Sequence, residues 1–412
     1  MTKIAVIGGG PGGAFAAINA KNDTNQVCLF EKNEKLGKKL YITGKGRCNI
    51  TNAKIYDEFL ANIPVNQKFL YSSFSKFDNY SLMDYCEDYG LKLEIQRGDR
   101  VFPKSEKSSD VIKFLEERLK EKNVEVKYRE EVKSIYKKED VFYIKTNKDS
   151  YSFDKVVIGT GGISYPLTGS TGDGYKFGQK FGHQVVDPVP GLCPIRIKDK
   201  DTDSLEGISL KNISLHVKTK DKDLEEFGDL LFAKKSISGP VVLTMSSRIN
   251  RLEPTDMYID LKPALSFEKL DKRIIRDFDK DPNLDISNNL KKLLLNAFIP
   301  IILSRSAIPS HKKCHQITKE EREALVKNIK EFKLKYDGLD KISRAVVTSG
   351  GIDLKEIDPK TMESKLVEGL YFVGEVLDID GFTGGFNLQI AFTTAFACGS
   401  SLKEFSWKKN IL

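Results

Sequence analysis

Near its start the chain reads Lys3-Ile4-Ala5-Val6-Ile7-Gly8-Gly9-Gly10-Pro11-Gly12-Gly13, and this stretch predicts the fold of the first domain. The apolar run before the glycines predicts a buried parallel strand, and the glycine turn predicts a helix over residues 12–22. Residues 26–30 predict the next strand, and Glu31 stands at its end. This order of elements is the fingerprint of a dinucleotide-binding βαβ unit.

Each position of the fingerprint has a physical task. Gly8 permits the tight turn, Gly10 lets a pyrophosphate approach the backbone, and Gly13 lets the helix pack on the strand. The helix N-terminus attracts the phosphate charge, and Glu31 would accept hydrogen bonds from a ribose. The fingerprint does not distinguish NAD from FAD, and an ordinary glycine-rich turn is the alternative.

A second glycine-rich element lies late in the chain. Residues 369–375 predict a strand that ends at Gly374-Glu375, a glycine loop follows at 380–387, and residues 388–399 predict a helix of small residues. In FAD proteins such a strand end holds the ribityl chain, and the positive end of the next helix faces the flavin. The two elements together favour FAD over NAD, although a packed glycine-rich helix start is the alternative.

Composition limits the class of protein. The 412 residues suffice for two or three domains, and 40% apolar residues predict a soluble globular protein. No apolar run approaches the roughly 18 residues of a membrane span, and the first apolar run belongs to the fingerprint rather than to a signal peptide. Six scattered cysteines without a C-x-x-C pair suggest neither disulfides nor zinc, and fit the cytoplasm best.

The net charge of +8 has two interpretations. The excess charge belongs either to a solvated lysine-rich surface or to a surface that binds an anionic partner such as RNA, with release of counterions. His311 and His315 have the spacing of metal ligands on a helix, but no further ligand types cluster there. We therefore expect no metal site and no membrane contact.

The order of predicted elements divides the chain into domains. Residues 1–190 and 344–412 predict one discontinuous α/β domain, a Rossmann-like FAD domain of the glutathione reductase type. Between them, residues 191–263 predict a β-rich inserted domain and residues 264–343 a small helical domain.

Three finer predictions concern single elements. Alternating patterns at 124–129, 132–137 and 141–146 predict a three-strand meander in the FAD domain. In the helical domain, residues 288–298 predict a helix, and Thr318 with Glu321 predicts a capping box before another.

Further segments resemble one flavoprotein family. They are Gly44-Lys45-Gly46-Arg47-Cys48-Asn49-Ile50-Thr51-Asn52, Gly98-Asp99-Arg100-Val101-Phe102-Pro103, residues 160–174 and residues 347–385. In these segments, and over essentially its whole length, the chain is similar to the BaiN/RdsA (YhiN-like) NAD(P)/FAD-dependent oxidoreductases, which are related to aminoacetone-oxidase-like flavoproteins. The resemblance implies an FAD domain, an inserted β-barrel-like domain and a small helical domain.

The resemblance also implies flavin-dependent redox chemistry. Family members are linked to reduction of polarised carbon–carbon double bonds, including uridine to dihydrouridine in ribosomal RNA and steroid enones, and others to amine oxidation. No second G-x-G-x-x-G occurs, so we expect NAD(P)H to bind only transiently as the reductant. An amine or amino-acid oxidase that uses oxygen, and a flavin-bearing RNA-binding factor without turnover, are the alternatives.

One short segment departs from the family pattern. Relatives usually carry Thr-His-x-Gly before Ile-Ser-Gly-Pro, whereas Ala233-Lys234-Lys235-Ser236 precedes Ile237 here. The change removes a histidine, so a mechanism that needs this histidine is not expected here, and it adds two lysines, which favour an anionic substrate.

Three residues are candidates for the chemistry: Cys48, Tyr165 and Arg100. Lys45 and Arg47 would lower the pKa of the Cys48 thiol, which could then protonate a substrate carbon. The alternative is a small buried residue that packs under the flavin. Tyr165 follows a strand end and could donate a proton or cap the turn, and Arg100 could line a substrate cleft or lie on a surface hairpin.

The predicted FAD-binding residues come from the fingerprint, the family-like segments and the late glycine loop. They are Gly8, Gly10, Pro11, Gly12, Gly13, Ala14, Glu31, Lys32, Lys39, Gly46, Arg47, Cys48, Asn49, Val132, Thr160, Gly161, Gly162, Gly374, Glu375, Gly384, Gly385, Phe386, Asn387 and Leu388.

Overall fold

A computed structural model describes residues 1–408, which divide into two compact units. The discontinuous unit joins Met1–Gly191 to the segment that begins at Ile342, and the inserted unit is Leu192–Lys341. The predicted split of the inserted part into a β-rich and a helical domain stays a prediction. Within the described residues, no helix is long and apolar enough to cross a membrane.

The core of the discontinuous unit is a five-stranded parallel sheet. Its strands, in spatial order, are Leu370–Phe372, Lys155–Ile158, Thr2–Ile7, Asn25–Glu31 and Glu125–Tyr128. Residues 4–7 of the central strand are buried, as expected for the middle of a parallel sheet. The predicted α/β class with a Rossmann-like sheet is confirmed.

Two helices place the early and late segments side by side. The fingerprint helix, Pro11–Ala20, begins with proline, which needs no hydrogen bond at that position. It packs on the C-terminal helix, Phe386–Lys408. A Cβ added at Gly399 would lie 2.5 Å from the Asn19 Cβ, so the two helices can pack this closely only because residue 399 is glycine. The other helices of the unit are Lys38–Ile42, Tyr56–Leu60, Tyr71–Phe74, Asn79–Asp88, Ser108–Glu121 and Asp173–Lys180.

A three-stranded antiparallel meander belongs to the same unit, but its composition differs from the prediction. Its strands are Val132–Lys138, Val141–Thr146 and Ser150–Phe153. The assignment of residues 124–129 to the meander is wrong, because Glu125–Tyr128 pairs in parallel with Asn25–Glu31. The preceding helix returns the chain to the same end of the sheet, and a strand after such a crossover pairs in parallel.

Two smaller sheets complete the discontinuous unit. Thr51–Asn52, Arg100–Pro103 and Leu93–Gln96 form an antiparallel sheet, called the small sheet below. Val185–Gly191 pairs antiparallel with Val347–Ile352. The small sheet carries two of the family-like segments, and the Val347–Ile352 strand begins a third.

The inserted unit is built on one seven-stranded antiparallel sheet. Its strands, in spatial order, are Phe332–Lys333, Pro254–Asp260, Ser209–Thr219, Asp223–Ala233, Ser236–Ser238, Ile195–Ile197 and Tyr336–Leu339. One apolar core joins this sheet to the helices of the unit. These are Pro240–Ile249, Phe267–Lys280, Ile286–Asn289, Ile299–Arg305 and Lys319–Lys330.

The helical predictions in this unit had different outcomes. The capping box is confirmed, because the Thr318 and Glu321 side chains each accept a hydrogen bond from the other's backbone N–H. The predicted helix over 288–298 is wrong. Leu295 is extended, with φ −67° and ψ 140°, and it separates the short turn at Leu290–Lys292 from the one at Asn296–Phe298.

Candidate functional site

The fingerprint turn leaves open space at one glycine and none at two others. A Cβ at Gly13 would lie 1.9 Å from the Gly8 carbonyl oxygen, and one at Gly8, where φ is +104°, would lie 2.5 Å from the Gly159 oxygen. A Cβ at Gly10 would meet nothing within 4 Å. Gly10 is also the N-cap of the fingerprint helix, with no side-chain cap. The turn therefore offers a helix N-terminus that can accept a diphosphate.

The second strand ends in a fixed carboxylate. Glu31 is buried, and its Oε2 accepts a hydrogen bond from the Gly9 N–H at 2.8 Å. Its Oε1 accepts from the Asn33 N–H and side-chain nitrogen, both at 2.7 Å. These bonds hold the carboxylate beside the glycine turn, where the ribose of a dinucleotide binds in folds of this class.

Lys32 points to the loop that follows the Lys155–Ile158 strand. Its Nζ donates to Thr171 Oγ1 at 2.6 Å and to Asp173 Oδ2 at 2.8 Å. Asn33 donates to the Thr168 carbonyl at 3.1 Å, which ties the same loop to the strand end. Lys32 thus fixes the loop beside the predicted ribose position, and its direct contact with a cofactor stays a prediction.

Glu375 lies at the centre of a group of hydrogen bonds. Its carboxylate oxygens accept from Lys39 Nζ at 2.8 and 2.7 Å, and its Oε1 accepts from the Thr348 N–H at 2.9 Å. Lys39 Nζ also donates to Ser164 Oγ at 2.6 Å. Ser164 Oγ donates to Glu375 Oε1 at 3.2 Å as well, so three separate segments orient this carboxylate. The sequence predicted Glu375 and Lys39 as site residues but not Thr348, whose only signal is its place in a family-like segment.

The early and late glycine-rich segments meet at Gly374. A Cβ added at Gly12 would lie 3.6 Å from the Gly374 Cα. The Gly374 N–H donates to Thr394 Oγ1 of the C-terminal helix at 3.0 Å. Glu375, the next residue, is therefore placed near the start of the fingerprint helix.

The late glycine loop rests on the small sheet. Asn52 Nδ2 donates to the Gly384 carbonyl at 3.0 Å, and a Cβ at Gly385 would lie 2.3 Å from the Thr51 carbonyl oxygen. The predicted FAD-binding residue Asn387 braces this loop from within. Its Oδ1 accepts from the Gly381 N–H at 2.9 Å, and its Nδ2 donates to the Gly381 carbonyl at 2.7 Å.

A buried chain of polar side chains fixes the start of the C-terminal helix. Thr51 Oγ1 donates to Gln389 Oε1 at 2.7 Å, Gln389 Nε2 donates to Thr393 Oγ1 at 3.1 Å, and Thr393 donates to the Phe77 carbonyl at 2.8 Å. Gln389 and Thr393 are fully buried. The sequence analysis missed both residues, because a polar residue inside a helix of small residues does not by itself indicate its partner.

Cys48 lies in a left-handed turn and is inaccessible. Its φ is +58°, and its side chain is 0% exposed. Burial raises the pKa of the Cys48 thiol to about 12, against a smaller opposing effect of a hydrogen bond with Thr43. The expectation that Lys45 and Arg47 lower this pKa is wrong. Loss of hydration outweighs the neighbouring charges, so the thiol keeps its proton at neutral pH.

The basic residues next to Cys48 in the sequence contact other groups or solvent. The Arg47 guanidinium lies 4.6 Å from the centroid of the Phe102 ring and 3.0 Å from Glu106 Oε1. Lys45 is exposed. Arg100, on the adjacent strand, is exposed and donates from Nε to the Arg97 carbonyl at 2.9 Å. It lies on a hairpin of the small sheet, and its contact with a substrate stays a prediction.

Tyr165 occupies a strained turn. Its φ is +50°, in the left-handed region that non-glycine residues seldom adopt. Its N–H donates to the Ser343 carbonyl at 3.3 Å, and its own carbonyl accepts from Thr168 Oγ1 at 2.7 Å. Because Tyr165 is half-buried, its two predicted roles, proton donor and turn cap, both stay predictions.

The other predicted cofactor residues differ in burial, and their contact with a cofactor stays a prediction. Gly162 lies against Thr348, because an added Cβ would be 2.3 Å from Thr348 Oγ1. Phe386 is buried, with its ring centroid 4.9 Å from that of Phe59, and Val132 is buried at the start of the meander. The remaining members are the buried Ala14, the half-buried Pro11, Gly46, Gly161 and Leu388.

These residues fit an FAD molecule. Gly10 leaves space for a diphosphate, and Glu31 and Glu375 supply fixed carboxylates. Asn49 Oδ1 and Thr160 Oγ1 are buried and have no hydrogen-bond partner within residues 1–408. A buried polar atom left unpaired costs about 1–3 kcal/mol, so a ligand with polar groups would be stabilised by pairing with them.

The predicted histidine pair and the lysine pair both belong to the inserted unit. Within the described chain, no group of three or more His, Cys, Asp or Glu residues could hold a metal ion. His315 Nδ1 instead lies 2.8 Å from the Pro282 carbonyl. Lys234 and Lys235 form the exposed two-residue turn between Asp223–Ala233 and Ser236–Ser238 of the inserted unit.

Comparison with known proteins adds a family and several relatives. A family model described as the HI0933-like protein Rossmann domain matches residues 2–401. The ribosomal RNA dihydrouridine synthase of Escherichia coli (strain K12) is 29% identical over 96% of this chain and 97% of its own. The 3-dehydro-bile acid delta(4,6)-reductase of Clostridium scindens is 27% identical over 98% and 100%. The solved 3-ketosteroid delta1-dehydrogenase of Sterolibacterium denitrificans shares the fold, with a TM-score of 0.52, 13% identity, and coverage of 98% and 100%.

Proposed function

Since this chain belongs to the HI0933-like Rossmann family, we propose that it is an FAD-dependent reductase that uses NAD(P)H to saturate a polarised carbon–carbon double bond. The favoured reaction is uridine to dihydrouridine in ribosomal RNA. The family resemblance and the enzyme class, a flavin-dependent oxidoreductase, are confirmed by the family match and the curated relatives.

The observation that carries the cofactor proposal is the meeting of the two glycine-rich segments. Gly12 lies beside Gly374, so the open helix N-terminus at Gly10 and the fixed carboxylate of Glu375 belong to one site. A diphosphate would bind at the first and a ribityl hydroxyl at the second. FAD bound there would supply hydride transfer between NAD(P)H and a substrate carbon.

The chain must also provide a proton for the neighbouring carbon of the substrate. Between the two candidates we favour Tyr165. Its ring is half-buried rather than fully enclosed, and its strained φ of +50° is of the kind found at functional sites. Cys48 is fully buried and is more consistent with packing beneath the cofactor.

Two observations favour a reductase that acts on RNA. One relative is named for dihydrouridine in ribosomal RNA and another for a bile acid delta(4,6)-reduction. The net charge of +8 and the exposed Lys234 and Lys235 suit a polyanionic substrate. A ribosomal RNA substrate would place the enzyme in the cytoplasm. The target base would have to be unpaired or flipped out to reach a buried flavin.

The deciding experiment measures dihydrouridine in ribosomal RNA by mass spectrometry, from cells with and without the gene. We expect the modification to disappear from at least one site in the deletion strain and to return with the wild-type gene. In parallel, anaerobic oxidation of NADPH and NADH by the purified holoenzyme should accelerate when ribosomal RNA is added.

Two outcomes would replace this proposal with an alternative. Rapid flavin reduction by amines, with release of peroxide in air, would identify an oxidase. Tight RNA binding without consumption of NADPH or NADH, and without dihydrouridine, would identify a non-catalytic RNA-binding flavoprotein.

A further inference from the structure

The outward face of the meander carries two exposed aromatic rings. The inward positions of its strands hold buried residues such as Ile135, Phe142 and Ile144. The opposite positions hold Tyr136, which is 55% exposed, and Tyr143, which is 36% exposed. Exposed rings on adjacent strands suggest a binding surface, because large apolar groups that are close together are usually covered.

The two rings form one stack with two free faces. Tyr136 and Tyr143 are directly opposite in the antiparallel register, and their rings lie within 12° of parallel with centroids 5.1 Å apart. On the far side of Tyr143, its partner on the next strand is the small and exposed Ser152. A further planar ring therefore has room to stack on Tyr143.

The far side of Tyr136 is also open. Val132–Lys138 is the edge strand of the meander. A groove of about 640 Å³ runs along this edge, and its lining includes Tyr136, Ser134, Lys137, Lys180 and one acidic residue, Glu139. The stack can therefore be extended at both ends without displacing a side chain of the meander.

Lysines surround the stack. Lys138 and Lys145 occupy outward positions two residues beyond Tyr136 and Tyr143 on their own strands, and both are exposed. The groove adds the exposed Lys180. The outward strand positions of the meander carry no carboxylate; Glu139 and Asp140 lie on the connecting turn, and Glu131 precedes the first strand.

We propose that this tyrosine face binds a single-stranded segment of the RNA substrate. Stacked aromatic rings flanked by lysines are the combination that binds bases and phosphates of single strands. The bases would stack on the free faces of Tyr136 and Tyr143, and the lysines would neutralise phosphates. The inference rests on the proposed function for the identity of the nucleic acid, and it assigns this face to affinity rather than to chemistry.

The test measures RNA binding by the FAD-loaded protein. A fluorescent oligouridylate of about 12 nucleotides, within the usual site size, is titrated and followed by anisotropy. We expect the double variant Tyr136→Ser/Tyr143→Ser to bind about 10-fold or more weakly, because stacking on each ring contributes about that factor. The matched control is Tyr71→Ser, which removes a tyrosine that is 44% exposed elsewhere and should leave the affinity unchanged.

Two further measurements extend the test, and the first does not depend on the folding of a variant. An oligonucleotide that contains 4-thiouridine should crosslink, in the wild-type protein, to peptides that include Tyr136 or Tyr143. The double variant Lys138→Gln/Lys145→Gln should reduce the dependence of the dissociation constant on salt between about 50 and 200 mM.

The outcomes separate this inference from the proposed function. Dihydrouridine formation with unchanged oligonucleotide affinity in the tyrosine variant, and crosslinks elsewhere, would overturn the surface and leave the reaction intact. Binding that is lost in that variant, from an enzyme that makes no dihydrouridine, would support the surface and overturn the reaction. No oligonucleotide binding by the wild-type protein would overturn the surface.

Discussion

Replacement of Gly10 by alanine separates the stability of the fingerprint turn from its ligand binding. Gly10 has φ −75° and ψ 177°, which alanine adopts without strain, and an added Cβ meets nothing within 4 Å. The stability of the apoprotein should therefore change by no more than about 1 kcal/mol, because alanine lowers the entropy of the unfolded chain but is a poorer N-cap than glycine. The new methyl would occupy the space that we assign to the diphosphate.

The loss of FAD affinity can be estimated from the hydrogen bonds at stake. A hydrogen bond to a charged group contributes about 1.5–3 kcal/mol, which corresponds to about a 10- to 150-fold change in dissociation constant. Displacement of the diphosphate from one backbone N–H of the fingerprint helix should cost at least this much. The matched control is Gly13→Ala, whose Cβ would lie 1.9 Å from the Gly8 oxygen and should destabilise the apoprotein itself.

The assay uses deflavinated protein. Urea unfolding gives the stability of each apoprotein, and FAD titration followed by flavin fluorescence gives each dissociation constant. Wild-type affinity of Gly10→Ala for FAD would show that the open space at this residue does not hold the cofactor. Equal destabilisation of the apoprotein by Gly10→Ala and Gly13→Ala would contradict the difference in space between the two glycines.

Three further predictions concern the site and the stability of the discontinuous unit. Glu375→Gln should weaken FAD binding about 10-fold, because it removes the charged acceptor that Lys39 holds in place; an unchanged dissociation constant in the FAD titration would exclude Glu375 from the site. Cys48→Ala should retain kcat within a few-fold, because the pKa of the thiol is raised to about 12 by burial, and a loss of 100-fold with FAD still bound would make Cys48 a catalytic acid. Burial lowers the pKa of His183 below its usual 6.5 despite the opposing effect of Glu356, so the unfolded state binds the proton more readily. Stability should be full above about pH 6.5 and fall below it, and His183→Gln should flatten this slope in urea unfolding at pH 5–8.

The sequence was sufficient where the pattern is local. The fingerprint strand, turn and helix were predicted because the spacing of the glycines is a local pattern, and the contact between Gly13 and the Gly8 carbonyl lies within the motif itself. The capping box at Thr318 is equally local. Such features need only neighbouring residues to be recognised.

Features that depend on contacts between distant residues could not be predicted from such local patterns. The apolar and polar residues of Glu125–Tyr128 alternate as in a meander strand, but the helix before this strand determines that it pairs with Asn25–Glu31. The acidity of Cys48 was misjudged because its sequence neighbours are basic, whereas its environment is set by distant packing that buries it completely. Ser164 and Thr348 orient Glu375 from positions far away in the chain, and no spacing rule connects them.

The contact between the fingerprint helix and the C-terminal helix has a consequence for synthesis on the ribosome. The C-terminal helix covers one face of Pro11–Ala20, with Gly399 against Asn19. This helix is synthesised several hundred residues after the face that it covers. At a typical 5–20 residues per second, the delay is roughly 20–70 s. During this interval the nascent chain exposes an apolar helix and has no complete cofactor site. Under the proposed function, the cofactor would bind only after the later segment has been synthesised, and a chaperone could shield the alanine-rich fingerprint helix until then.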